Sequence, residues 1–377
     1  MDFGLNEVQK MVQSSAKEFL ARECPKSYVR AMEKDEKGFT TELWQKIADV
    51  GWLRLPFPEK YGGDGQDFVT LCALLEEVAK ACLPGPYLST VGLCGIPILE
   101  FGSEGLKQEH LPKIASGQRI MSLALTEPNG RYDAAGVEMR ATQAGAGFDL
   151  NGTKILVPYA NSADYFVVAA RTGAGRDPGV GVTWLVVPAK ARGITMTPLR
   201  SIAWDRQYEV VFKNVYVGPE GLLGGVGQGG KIVDRVLLLG ATASSALILG
   251  GIQAALDITV EYLKNRIAFG RPIGSFQALQ HHCANMARDV EGARHITYSA
   301  AWRIAEGLTA EREVVLAKAF VSAASQRITV LSHQSHGAIG FTTEYDLQLY
   351  TRRNKAYEVT FGDVDYCAEK VAELALR

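Results

Sequence analysis

The hydrophobic period of this chain changes twice, and that switch constrains the fold more than any single motif. Up to about residue 118 the apolar residues recur at helical spacing, in LNEVQKMVQSSAKEFLARE, TELWQKIADVGWL and DFVTLCALLEEVAKACL, with the Pro- and Gly-rich loop PFPEKYGGDGQ before the last of them. From about Ile120 the period falls to two. RATQAGAGFDLNGTKILVP, DYFVVAAR, GVTWLVVP and YEVVFKNVYVG are short runs rich in Val, Tyr, Phe and Thr, broken at Asn-Gly and Gly-rich turns, as in a β-barrel or sandwich. From about Lys231 the helical period returns in four or five long segments, broken at GRPIGS, AEGLTAE and HGAIGFTTEYD. Helices, then strands, then a helical bundle is an order that few folds share, and it marks an α+β multidomain chain.

A length of 377 residues exceeds one ordinary compact core. With 40 Lys+Arg against 41 Asp+Glu the formal net charge is −1, so no overall field attracts nucleic acid or an anionic membrane, and neither is an expected partner. The six cysteines (Cys24, Cys72, Cys82, Cys94, Cys283, Cys367) form no CxxC pair and read as reduced core thiols of a cytoplasmic protein. MDFGLNEVQK is an amphipathic start without the pattern of a signal peptide. The longest apolar stretch, Val236–Leu256, is long enough to span a bilayer, but its Thr, Gln, Ser and Gly residues and its lack of aromatic anchors read as a buried central helix.

Three stretches carry residues suited to ligand chemistry. LALTEPNGRYDAAG (Leu123–Gly136) reads as a strand leading into a loop. Its Thr126 hydroxyl and backbone N–H groups suit the carbonyls of a planar heterocycle and a phosphate; the bland alternative is an ordinary strand exit. YLKNRIAFGRPIGSFQALQHH (Tyr262–His282) groups Arg266, Phe269 and Gln277 at a helix corner, which suits a diphosphate, a stacked adenine and its hydrogen-bonding edge, or else a capped loop with a solvated arginine. HQSHGAIGF (His333–Phe341) has glycines at 337 and 340 that admit a ligand close to the backbone, or simply turn the chain. Its histidines, like His281 and His282, lack the carboxylate or cysteine company of a metal site, so no metal is expected.

Together with PEKYGGDG (Pro58–Gly65), DLNGTKILVPYANSADYFVV and HGAIGFTTEY, these segments resemble the acyl-CoA dehydrogenase family in order and spacing, over essentially the full chain. The resemblance implies that family's fold: a helical N-terminal domain (here 1–119), a middle β-barrel (120–230) and a C-terminal four-helix bundle (231–377), usually as a dimer of dimers. It implies α,β-desaturation of an acyl-CoA thioester, with the β-hydride passing to FAD, the α-proton to a carboxylate, and an electron-transferring flavoprotein as acceptor. In the family FAD is shared across a subunit interface: one chain holds the flavin ring and its neighbour clamps the diphosphate and adenine.

Carried over residue by residue, the clamp looks intact. Arg266, Phe269, Gln277, Gln334, Gly337 and Gly340 match it, with Ala338 where a second glycine is typical. The flavin half departs. Thr126 and Asp133 match, but Asn129-Gly130-Arg131-Tyr132 stands where the family has small residues, and Leu156-Val157-Pro158 stands where it has Trp-Ile-Thr under the ring. The base positions depart too: Phe361 aligns with the usual C-terminal glutamate, and Gly240, followed by Ala241, with the alternative one. Asp363 and Glu358 are nearby substitutes, with capping or solvated duty as the bland reading for each, and Asp365 is a third acid of the same kind.

The pattern implies a non-catalytic, half-site subunit of a heteromeric (α2β2) enzyme. Its sister dehydrogenase subunit would supply the ring site and base, as in bacterial breakdown of steroid side chains or of another bulky acyl-CoA. A homomeric enzyme with a relocated carboxylate and a flavin-free scaffold remain the alternatives. The small residues Gly240, Ala241, Ala243, Ser244, Ser245 and Ala246 suit either a roomy pocket or close helix packing.

Overall fold

The computed structural model describes residues 4–175 and 177–376. Its helices are α1 Glu7–Glu23, α2 Lys26–Lys34, α3 Thr41–Asp49, α4 Phe68–Ala81, α5 Ile96–Phe101, α6 Glu104–Ala115, α7 Gly230–Asn265, α8 Gln277–Ala305, α9 Glu311–His336, α10 Leu347–Glu358 and α11 Val364–Ala375. Its sheet strands are β1 Met121–Ala124, β2 Arg140–Ala144, β3 Gly147–Pro158, β4 Tyr165–Arg171, β5 Val182–Pro188, β6 Ile194–Leu199, β7 Gln207–Val217 and β8 Leu222–Leu223, with a small hairpin of β9 Ile267–Ala268 and β10 Arg271–Pro272. The chain packs as two compact units, each assembled from separate stretches: one from residues up to Arg30, 68–83 and 241 onward, the other from 31–67 and 84–240.

The first unit is helical. α4 packs on α1 and α8, α8 on α9, and α9 on α10 and α11. The paired glycines of α7 let neighbouring groups come close. A Cβ at Gly250 would lie 2.1 Å from the carbonyl oxygen of Glu76 on α4, and one at Gly251 would lie 2.1 Å from Oδ1 of Asn354 on α10. A larger residue at Gly250 would push α7 and α4 apart, and one at Gly251 would displace the Asn354 side chain. At this part of α7 small residues serve helix packing.

α4 also buries a charge. Glu76 is fully buried and accepts from Arg294 (2.6 Å), Lys80 (2.9 Å), the Tyr298 hydroxyl (2.7 Å) and Gln13 (3.3 Å). α7 and the helical run Glu311–Phe341 are long and apolar enough to cross a membrane by length and composition, and 78% and 50% of their most apolar windows are buried within the chain. For α7 that is the burial of a core helix. Five of the six cysteines are buried and Cys283 is half-buried.

The second unit is built on one eight-stranded sheet in the order β6-β7-β3-β2-β4-β5-β8, antiparallel along most of its length, with β1 parallel to β4. Phe166 on β4 and Phe212 on β7 are three strand places apart, about 14 Å on a flat sheet. Their ring centroids lie only 6.2 Å apart, inside one cluster that also holds Leu150, Val168, Leu185 and Val210. The sheet therefore curls round that cluster, as a barrel does. β4 and β5 are buried on both faces, which is why they read as continuous apolar runs and not as alternating ones. The outer edge of β1 is satisfied by two hydroxyls: Ser89 accepts from the Leu123 amide, and Thr90 both accepts from the Met121 amide and donates to its carbonyl.

Candidate functional site

In the barrel unit, the loop that follows β1 is fixed by a buried ion pair that the sequence did not flag. Glu127 accepts from the backbone amides of Glu138 and Met139, and Lys154 of β3 donates to it (2.6 Å) and to the carbonyl of Leu125 (3.1 Å). Burial pushes the Lys154 amine down to about 8, against the opposing pull of Glu127. Thr126 is thus held between two anchored neighbours, its carbonyl accepting from the amide of Ile155 (2.9 Å). Among the described residues its hydroxyl has no hydrogen bond within the chain and is available to a ligand.

The rest of that side suits a flavin ring poorly. β3 bulges between Lys154 and Val157, so Leu156 stands exposed in the left-handed region (φ 53°) while Val157 drops into the barrel core. Pro158 has no N–H, and its carbonyl is taken by the Ser122 hydroxyl. In the next loop Arg131 forms a two-pronged pair with Asp133 (3.0 and 2.7 Å), and Asp133 accepts from the Gly136 amide. That locks two bulky residues, Arg131 and Tyr132, into the stretch where small ones were expected.

In the helical unit the residues expected to form a clamp gather at one end. Arg266 follows the C-terminus of α7, Gln277 opens α8, and Gln334 lies in the last turn of α9; all three are exposed. Tyr262, one turn before Arg266, stacks on His336 at 4.4 Å, which brings the end of α7 to Gly337. Among the described residues the Arg266 guanidinium has no partner within the chain, as expected of a cation reserved for an anionic ligand.

Phe269 and Gly270 form the tip of the β9–β10 hairpin, both left-handed (φ 55° and 77°), and Phe269 is 92% exposed. An exposed phenyl ring in a strained backbone position is what a stacking platform requires. Phe269→Asn should therefore raise stability by about 1 kcal/mol, since asparagine tolerates this region, while weakening FAD binding. A urea titration and a flavin titration on the same variant check both signs.

At the base position α10 ends at Glu358, and the turn Val359–Gly362 leads to α11. Phe361 is half-buried there and left-handed (φ 58°), and Gly362 (φ 104°) packs where a Cβ would meet the Tyr366 ring at 2.7 Å. Asp363 is the N-cap of α11, accepting from the Tyr366 amide at 2.8 Å, as its place before a helix suggested. Asp365 is exposed in the first turn of α11. Glu358 is neither solvated nor a cap, which corrects that reading: it is buried, paired with Lys355 (3.1 Å), and accepts from Gln326 (3.3 Å). Gly240 is buried within α7 and offers no side chain.

The turn is held from below by Lys318 of α9. This fully buried amine donates to two carbonyls at the C-terminus of α10, that of Tyr357 (2.7 Å), which also accepts from the Thr360 amide (3.2 Å), and that of Glu358 (3.0 Å). A helical lysine reads as solvated, so sequence alone gave no sign of it. Burial lowers its pKa to about 8, although Cys367, Glu358 and Asp363 pull the other way. Lys318→Met should cost about 2 kcal/mol, the penalty for taking the lysine donor from the Glu358 carbonyl at the end of α10. Because the folded value lies below the unfolded one, the native state binds fewer protons between pH 8 and 10.5, and the lysine's contribution rises over that window. Urea midpoints of both proteins at pH 7 and pH 9.5 should diverge further at the higher pH.

Family models for the N-terminal, middle and C-terminal domains of acyl-CoA dehydrogenase match residues 6–118, 122–215 and 227–376. The chain is 34% identical over 368 residues to the probable acyl-CoA dehydrogenase YngJ of Bacillus subtilis, covering 96% of each. The structure of butyryl-CoA dehydrogenase from Megasphaera elsdenii superposes with a TM-score of 0.92 at 30% identity, covering all of both chains. A chain of the ChsE4-ChsE5 complex from Mycobacterium tuberculosis superposes at 0.92 and 28% identity, covering 100% of this chain and 99% of that one. With identity at that level along its whole length, and the domains in the same order, the chain belongs to the acyl-CoA dehydrogenase family of FAD-dependent oxidoreductases.

Proposed function

We propose that this chain is the non-catalytic partner in a heteromeric, α2β2 acyl-CoA dehydrogenase. It gives Arg266, Phe269, Gln277, Gln334, Gly337 and Gly340 to an FAD whose ring and base belong to a sister chain. The observation that carries this reading is the fate of the acids around Phe361. Asp363 is spent on capping α11, and Glu358 is buried in an ion pair with Lys355. Both candidate substitutes are thus committed elsewhere, Asp365 lies exposed in the first turn of α11, and loss of a general base costs about 10²- to 10⁴-fold.

FAD, when bound, supplies the acceptor for the hydride leaving the thioester's β-carbon; this chain's residues bind and orient its diphosphate and adenine. The similarity to a chain of the ChsE4-ChsE5 complex supports a paired assembly, and an acyl-CoA with a bulky or steroid-derived side chain is the proposed substrate class. An electron-transferring flavoprotein is the proposed acceptor. The test is anaerobic bleaching of the flavin by acyl-CoA in the complex purified with its sister chain. Asp363→Asn and Glu358→Gln should leave bleaching intact; its loss in either variant, with folding preserved, would favour a relocated base.

A further inference from the structure

We propose that His336 is a positioning residue for the turn Gly337–Phe341, setting that turn to receive the cofactor's diphosphate; this rests on reading the turn as part of the clamp. Its imidazole is held at both nitrogens. Nδ1 lies 2.8 Å from the carbonyl oxygen of Ser332, and Nε2 lies 3.1 Å from the Tyr345 hydroxyl. A carbonyl only accepts, so Nδ1 carries the proton and Nε2 accepts from Tyr345. One tautomer of the neutral ring satisfies both bonds.

The ring face is fixed as well, stacked on Tyr262 at 26° between planes, and the Tyr262 hydroxyl donates to the His336 carbonyl. The backbone turns at once after this ring. Gly337 adopts φ 67°, ψ −147°, a combination open essentially to glycine alone. The chain then folds back so that a Cβ on Gly340 would lie 3.0 Å from the Cβ of His336 and 3.2 Å from Nδ1 of His333. The turn rests on the two histidines and has no room to settle lower. Its height and the direction of its amides follow from where His336 is pinned.

The experiment measures FAD affinity of the assembled protein for three variants. His336→Phe keeps the stack and loses both hydrogen bonds, with an expected weakening of about tenfold, the worth of one to two neutral hydrogen bonds. His336→Gln, whose amide oxygen can accept from Tyr345, should recover most of that loss. Tyr345→Phe, a milder change should His336→Phe fail to fold, should weaken binding about threefold, one modest hydrogen bond. A His336→Phe or Tyr345→Phe protein that binds FAD as wild type does, or a His336→Gln protein no better than His336→Phe, would overturn the role. Arg266→Gln serves as the control: if it also leaves FAD binding unchanged, the clamp reading itself fails, whereas loss with Arg266→Gln alone removes only the role of His336.

Discussion

With Arg266 in the proposed clamp, Arg266→Gln is expected to lower the affinity of the assembled protein for FAD by about 100-fold, the worth of a charge-assisted, two-pronged contact of roughly 2 to 3 kcal/mol. The fold should not notice. The guanidinium is exposed and, among the described residues, makes no bond within the chain, so its removal orphans nothing. Unchanged urea midpoints beside a large loss of flavin would separate a ligand-directed cation from a structural one.

Glu76→Ala should show the opposite signature, with a loss of stability of about 3 kcal/mol, at the low end for breaking a buried ion pair. Its partners Arg294 and Lys80 are each about a quarter exposed, and Lys80 keeps Glu77 at 2.7 Å, which moderates the cost. The pH dependence has a fixed sign. Burial alone would raise the Glu76 carboxyl, but Lys80 and Arg294 outweigh it and hold it below its usual value. A depressed carboxyl contributes stability above the unfolded value near 4.5 and loses it as pH falls through the folded one. The gap between wild type and Glu76→Gln should therefore narrow below about pH 4.5, as followed by thermal or urea unfolding.

The order of helices, strands and helices was legible because long periodic segments dominate it, down to the breaks at GRPIGS and AEGLTAE. Short or interrupted elements were not. α2 is only nine residues long and charge-rich, α6 contains Pro112, and β6 is a six-residue edge strand with no fully buried residue. Periodicity also misses polar groups buried by packing: Glu76 and Lys318 look like solvated helix positions, and only the neighbouring helices reveal them as buried.

At the candidate site, residue identity pointed to Arg266, Phe269 and the glycines because their chemistry is local. The strain at Phe269 and Phe361 belongs to the turns they occupy, whereas the support from Lys318 and His336 depends on contacts across the bundle. Asp363 was readable as a cap because it directly precedes a helix. Glu358, at a helix end, gave no comparable signal.

The central claim is tested most directly by flavin stoichiometry. The chain purified alone should carry little FAD, and the complex with its sister subunit about half an FAD per chain. Full flavin occupancy in the chain purified alone would contradict the division of the site.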